Sequence, residues 1–319
     1  MTARVVVDTD TGIDDAQALL YLLGRPDVEV VAITTIFGNA RTADVAPNVR
    51  RVLDAAGVDV PVAPGAEEPL EGEPSIAWFV HGRDGLGDVY PDRQPPRTVL
   101  PRPAHEVLVE LAAAHPGELD LLLLGPLTNA GLALQQDPHL FMRYRRVAIM
   151  GGVGPFPPLG ESRGIDPNTA NDRMAADLVY SAPARDRVMV GSNVTRKAIV
   201  DEAAMDALAA AGTSVAELVH ATTERYIEYY QHLWGRRVSC AHDALAAAVL
   251  IDPTLVRQAW TGPVNVITDG GGLYRAQAMA TADGQQPCMP TRPVPATTVC
   301  TEVDIEAFLI DFLDVLTRR

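Results

Sequence analysis

Val5-Val6-Val7-Asp8-Thr9-Asp10-Thr11-Gly12-Ile13-Asp14-Asp15 decides how the rest of the chain is read. Three successive β-branched apolar residues predict a short buried strand. Ala16-Gln17-Ala18-Leu19-Leu20-Tyr21-Leu22-Leu23 predicts the helix that follows. The carboxylates Asp8, Asp10, Asp14 and Asp15 therefore fall in a strand-to-helix loop, the place where open α/β sheets bind ligands. Anions this close repel one another, and burial raises the cost. The loop either stays wet or is held by a cation; oxygen donors of this kind suit hard ions such as Ca²⁺ or Mg²⁺. Capping of the helix by Asp14 and a dipole contact from Asp15 would account for two of the acids and leave two without a reason.

Downstream, Val28-Glu29-Val30-Val31-Ala32-Ile33-Thr34-Thr35 is nearly continuous in apolar and β-branched residues, as strands covered on both faces are. It leads to Gly38-Asn39, a second strand end offering a polar side chain. Residues 42–56 read as a helix and 60–63 as a short strand. A long Pro/Gly-rich stretch then carries His81-Gly82-Arg83-Asp84-Gly85-Leu86-Gly87, and loops of that length inside a compact domain are usually functional. A helix over 103–115 with proline at its first position precedes a strongly apolar strand at 119–124. Strands at 146–150 and 187–191 flank a helix at 174–180. Residues 201–233 read as helical, and Tyr226, Tyr229, Tyr230 and Trp234 near the end have the spacing of packing residues rather than of a base-binding wall. His242-Asp243 opens an alanine-rich helix over 244–251. Segments 264–267 and 274–278 flank Asp269-Gly270-Gly271-Gly272, a hairpin signal. A last strand at 297–303 and a helix at 304–316, capped by Asp304, end the chain.

The alternation of strands and helices predicts an α/β fold: one domain over 1–319, an open, mainly parallel, twisted sheet with helices on both faces (Rossmann-like), and a small antiparallel piece near the C-terminus. The chain has 319 residues, 47% hydrophobic and 21% charged, an ordinary globular composition. A formal net charge of −15 and a pI near 4.8 argue against nucleic acid as a partner and against an anionic membrane surface. No apolar run approaches the roughly 20 residues of a membrane span. Met1-Thr2-Ala3-Arg4 runs directly into the first strand, so no signal peptide is expected. Cys240, Cys288 and Cys300 are odd in number and widely spaced, which suggests neither a disulfide framework nor a zinc site. A reducing, cytoplasmic location is expected.

Four stretches resemble, in order and separation, the motifs of the inosine-uridine-preferring nucleoside hydrolase family. Asp8 to Leu19 is similar to its DTDxGxDDAxAL loop, and Leu124-Gly125-Pro126-Leu127-Thr128-Asn129 to its Gly-Pro-Leu-Thr-Asn turn. Asp166-Pro167-Asn168-Thr169-Ala170 resembles its Glu-Phe-Asn sugar segment, and Ser239-Cys240-Ala241-His242-Asp243-Ala244-Leu245 its second aspartate motif. The resemblance implies a Ca²⁺ held by Asp10, Asp15, Asp243 and the main-chain carbonyl of Leu124, with Asp14 as general base. It implies Asn39, Asp166 and Asn168 at the ribose hydroxyls and Asp8 as a supporting carboxylate behind the metal. His242 corresponds to a histidine that helps protonate the leaving base in broader-specificity members, and His81 to a second histidine near the base. Asp243 is expected to raise the pKa of His242 and the metal to lower it.

Hydrolysis of an N-ribosidic bond through an oxocarbenium-like sugar suits these residues. A cation acidifies and positions water, a carboxylate takes its proton, and anionic side chains favour the charge that develops on the ring. The chain departs from the family where members contact the 5′ end of the ribose. The usual Glu is Asp166, the usual aromatic is Pro167, and Glu161 follows Gly160 where many members have an asparagine. Dimers or tetramers are usual in the family, so a homodimer or homotetramer acting on a small nucleoside is implied. Two other readings stay open. The early Asp-x-Asp also suits a haloacid dehalogenase-type phosphatase, with Lys197 and Ser192 or Thr195 as later motifs, although no acidic pair follows on a suitable strand end. A calcium-stabilised ribose-binding protein without catalysis is the third.

Overall fold

Val5, Val6 and Val7 are fully buried in strand β1 (Ala3–Thr9). Val5 and Val7 pack into the apolar layer on one face of the sheet and Val6 into the layer on the other. Burial of each valine contributes about 1.5–3 kcal/mol, and the alternation requires helices on both faces. The computed structural model describes residues 2–90, 94–154, 166–268, 274–278 and 294–318.

The other strands are β2 (Val28–Thr35), β3 (Val62–Ala63), β4 (Leu119–Leu123), β5 (Arg146–Met150), β6 (Arg187–Val190), β7 (Ile199–Val200), β8 (Ser239–Cys240), β9 (Val256–Thr268), β10 (Tyr274–Ala278) and β11 (Ala296–Val303). Among the described residues, β1 and eight of these strands form one nine-stranded sheet in the order β10-β9-β11-β6-β5-β4-β1-β2-β3. The run from β3 to β11 is parallel, and β9 and β10 extend it antiparallel. The order β3-β2-β1-β4-β5-β6 is that of a doubly wound sheet. Its connections diverge between β1 and β4 and leave a crevice at the carboxyl ends of those two strands. The acidic loop leaves β1 into that crevice, and Leu124 leaves β4 beside it, with its N–H donating to the Asp8 carbonyl at 2.9 Å.

The structure shifts several expected boundaries. The first helix is Ile13–Leu23, so Asp14 and Asp15 lie in its first turn rather than in the loop. Its N-cap is Gly12, not Asp14. A four-residue helix, Trp78–His81, interrupts the long loop. Pro103 caps the helix Ala104–Ala114 from outside instead of opening it. The helical stretch at 201–233 is two helices, Glu202–Ala211 and Ser214–Trp234, separated at Gly212. β9 begins eight positions before the expected 264, because its first half pairs with β11, a partner remote in sequence. A short antiparallel pair, β7 with β8, was not anticipated. The Asp269–Gly272 turn lies outside the described residues. No helix among the described residues is long and apolar enough to cross a membrane.

Candidate active site

Each acid of the first loop is held by different groups. Asp8 points back between β2 and β4: its Oδ1 accepts from the Thr34 hydroxyl at 2.5 Å and from Nδ2 of Asn129 at 2.8 Å. Burial still pushes its pKa up to about 6 against those two bonds. Asp15 performs the capping duty. Its Oδ2 accepts the Gly12 N–H at 2.9 Å and Nδ2 of Asn39 at 2.8 Å, and its Oδ1 accepts the Thr9 hydroxyl at 2.6 Å. Asp10 accepts the Asn39 N–H at 2.7 Å on Oδ2. That approach needs Gly38, whose φ is +151°, since a Cβ there would run into the Asp10 carboxylate.

Asp243 enters from a distant part of the chain. The β7–β8 pair and the N–H of Ala241 on the Ala198 carbonyl, at 2.9 Å, seat the start of the helix His242–Ile251 at the crevice. That helix packs against Ile13–Leu23. One carboxylate oxygen from each of Asp14, Asp15 and Asp243 lies within 4.8 Å of the others.

These residues fit a cation. Oδ1 of Asp10 and Oδ1 of Asp14 are buried with no hydrogen-bond partner. Burial first, and then the charge of Asp15, raises the pKa of Asp10 well above the carboxylate range and that of Asp14 to about 8. Asp243 is likewise raised, by burial and then by Asp14, Asp15 and Asp10. Buried carboxylates raising one another, with oxygens left unpaired, form a donor set suited to a hard divalent ion.

Aromatic and imidazole groups form the neighbouring wall. His81 is buried and accepts the Ile13 N–H on Nδ1 at 3.2 Å, which puts its proton on Nε2. Nδ1 is 4.0 Å from Oδ1 of Asp14, yet burial brings the His81 pKa down to about 4. His242 has both nitrogens engaged, Nε2 with the Tyr230 hydroxyl at 2.6 Å and Nδ1 with the Thr195 hydroxyl at 2.7 Å. The expected upward pull of Asp243 does not prevail. Burial, and then the charges of Arg196 and His81, lower His242 to about 3. Tyr226 reaches Oδ2 of Asp14 at 3.4 Å and lies 5.2 Å, ring to ring, from His81. The tyrosines expected only to pack therefore do so, against Ile13 and Val80, while also presenting hydroxyls to the acid and to the imidazole.

The sugar segment differs from expectation. Nδ2 of Asn168 donates to the Leu124 carbonyl at 2.6 Å and to the Met150 carbonyl at 3.1 Å. A carbonyl oxygen has two lone pairs, so Leu124 keeps one for a further partner. The Asp166 carboxylate is buried and turned onto the backbone. Its Oδ1 caps the helix Pro167–Asn171 through the Thr169 N–H at 3.3 Å, and its Oδ2 accepts the Ala276 N–H of β10 at 2.9 Å. Burial leaves its pKa raised despite these bonds. Glu161 lies outside the described residues.

The structure thus brings Asp8, Asp10, Asp14, Asp15, Asn39, His81, His242 and Asp243 to one place, with Leu124, Asp166 and Asn168 along the carboxyl ends of β4 and β5. The sequence names Thr195 only for the phosphatase alternative and Asn129 only as part of a turn motif, and assigns neither a role in this site. Asn129 links Asp8, the Thr35 carbonyl at 2.9 Å and the Ala66 N–H at 3.0 Å. Its place in the Gly125-to-Asn129 turn was the available signal.

Comparison with known proteins agrees with this geometry. Residues 5–310 match the family model described as inosine-uridine preferring nucleoside hydrolase. The chain is 33% identical over 313 residues to uridine nucleosidase 1 of Arabidopsis thaliana, covering 96% of this chain and 90% of that one. It is 30% identical over 326 residues to the inosine-uridine preferring nucleoside hydrolase of Crithidia fasciculata, covering 100% and 98%. A solved plant nucleoside hydrolase superposes with a TM-score of 0.89 at 30% identity over 100% of both chains. A match across nearly the whole chain, on the acidic crevice that the fold builds, means that this protein belongs to the inosine-uridine preferring nucleoside hydrolase family, whose members are N-glycosyl hydrolases of ribonucleosides.

Proposed function

We propose that the chain hydrolyses the N-glycosidic bond of ribonucleosides with the help of Ca²⁺, releasing free base and ribose through an oxocarbenium-like transition state. The carrying observation is the buried convergence of Asp14, Asp15 and Asp243 at the β1/β4 crevice, with Asp10 close enough to feel their charge and with unpaired oxygens on Asp10 and Asp14. Asp10, Asp15, Asp243 and the Leu124 carbonyl would hold the ion. Bound there, Ca²⁺ would acidify and orient water and fix the ribose diol.

The side chains divide the remaining work. Asp14, in the first turn of its helix and with Oδ1 free of protein donors, takes the proton of the attacking water. Asn39 and Asn168 orient the ribose hydroxyls. Asp8 stands behind Asp10 and keeps the end of β1 in place. His242, joined to Tyr230, serves the departing base. Burial raises the pKa of Tyr230 and lowers that of His242, so both groups rest uncharged and the pair offers the departing base a hydrogen bond. His81 borders the same wall. Assembly as a homodimer or homotetramer and a cytoplasmic location complete the reading.

The test is ribose release from a panel of purine and pyrimidine nucleosides, followed by a reducing-sugar readout. Release that stops on chelation and returns with calcium supports the reading. Calcium-loaded protein that binds ribosides yet frees no ribose would identify a binding protein, and phosphate release from a phosphomonoester would identify a phosphatase.

A further inference from the structure

Asn48 lies within the helix Thr42–Ala56, 2% exposed and without a place in the chemistry described above. Its single amide nitrogen bonds two carbonyls from separate loops: Thr11 at 3.1 Å and Asp84 at 2.7 Å. Thr11 stands between Asp10 and the N-cap Gly12. Asp84 stands three residues beyond His81.

The loop that follows His81 is internally braced. Oδ1 of Asp84 accepts the N–H groups of Leu86 at 2.8 Å and Asp88 at 3.0 Å; Oδ1 of Asp88 accepts those of Arg83 at 2.7 Å and Asp84 at 3.3 Å. The Gly87 N–H closes back on the His81 carbonyl at 2.7 Å. The loop is therefore cross-linked within itself, and what matters is how it is fastened to its surroundings. Two links tie it to the acidic loop and its helix: the Ile13 N–H on the His81 ring, and the Asn48 bridge with its two hydrogen bonds. Gly85 brings it close enough for the bridge. Its φ is +85°, and a Cβ there would come within 3.0 Å of the Asn48 amide and 2.7 Å of the Ala40 side chain.

We propose that Asn48 is a positioning residue, a clamp that holds the histidine-bearing loop in register with the metal-binding loop. It rests on the hydrolase reading in so far as His81 borders the departing base. An amide is suited to the task because its NH₂ offers two donors to two carbonyls. Loss of the amide would leave both buried acceptors short of a partner and free the His81 loop, with the carboxylate cage still intact. The effect should therefore fall on steps that need the base side ordered.

The experiment compares Asn48→Leu, which keeps bulk, and Asn48→Ser with the wild type, calcium-loaded throughout. Turnover of uridine and inosine should fall about 10-fold or more, whereas p-nitrophenyl riboside, whose leaving group needs no proton, should change less than about 3-fold. Calcium affinity by calorimetry should stay within about 3-fold, since no ligand is removed. Deuterium exchange at residues 82–88 should rise, with the strands unchanged. Equal loss on both substrates, or unchanged exchange at 82–88, overturns the proposal. If neither variant folds, Asn48→Asp keeps the shape, replaces a donor with an acceptor and must show the same split. Should the wild type cleave no nucleoside, the hydrolase reading fails while the exchange measurement still decides whether the clamp exists.

Discussion

Nε2 of His242 lies 2.6 Å from the Tyr230 hydroxyl, and the two rings belong to one wall with Tyr226 and Trp234. With Thr195 on the other nitrogen, the imidazole has one fixed orientation and no free lone pair for a diffusing proton. Removing either member of the pair should therefore act alike. Tyr230→Phe and His242→Ala are expected to slow nucleosides by about 10²-fold or more, the lower range of general acid catalysis, and p-nitrophenyl riboside far less. Uniform slowing of both substrates would show that the pair only shapes the wall. The His242 resonances should also remain those of a neutral ring well below pH 6.5, because burial holds its pKa near 3.

Asp10 and Asp14 should separate metal binding from proton transfer. Both have an unpaired buried oxygen, but only Asp10 is also held on its second oxygen by the Asn39 N–H. Asp10→Ala is expected to weaken calcium binding measured by titration. Asp14→Ala is expected to retain the ion and lose about 10²–10⁴ in turnover. Because one oxygen of Asp14 lies within 4.8 Å of Asp15 and Asp243, equal loss of calcium in both variants would reassign Asp14 as a ligand.

The alternation of strand and helix, the acidic loop and the final capped helix were legible because each rests on neighbours in sequence. Val28–Thr35, a nearly continuous apolar and β-branched run, and the helix Thr42–Ala56 have the bounds that their sequences predict. What was not legible depends on distant partners. The first half of β9 has no strand period of its own and is a strand only because β11 pairs with it. The pKa of His242 was set by burial in a wall built from three segments, not by its neighbour Asp243. The inward turn of Asp166 depends on the Ala276 N–H, more than a hundred residues later. The acids were visible as a cluster, but which oxygens remain unpaired is a property of Asn39, Thr9, Thr34 and Asn129 in three dimensions.

Calcium-free protein should lose stability as pH rises from 6.5 to 8. A carboxyl whose folded pKa is raised binds more protons in the native state than in the unfolded chain, so stability falls as pH climbs through that interval. Asp14, near 8, and Asp10 and Asp243, also raised, act in this sense. The depressed pKa values of His81 and His242 act in the opposite sense, most strongly below the unfolded value of 6.5 and fading within about one pH unit above it, so they offset the loss only at the lower end of this window. Each proton of difference is worth about 1.4 kcal/mol per pH unit. Thermal melts in chelator should shift downward across the window, and added calcium should restore more stability at pH 8 than at pH 6.5, since the ion displaces protons. A flat profile in chelator would mean that the carboxylates do not repel as placed.

Asp166 should leave the 5′ end of the sugar weakly policed. Both of its oxygens accept backbone N–H groups, from Thr169 and Ala276, and the next residue, Pro167, has no N–H to offer. A site that makes no specific bond to a substrate hydroxyl cannot reject the analogue lacking it. 5′-Deoxyuridine is therefore expected to be hydrolysed with a kcat/KM within about 10-fold of uridine, against the 10⁴ or more of a hydroxyl-reading site. Asp166→Ala should lower stability by about 0.5–2 kcal/mol through loss of the helix cap and should change KM for the two substrates by the same factor. If the wild type strongly rejects 5′-deoxyuridine and Asp166→Ala removes that preference, the carboxylate reads the hydroxyl in spite of its backbone bonds. If the preference survives in Asp166→Ala, another group, with Glu161 the first to replace by glutamine, has taken over the contact.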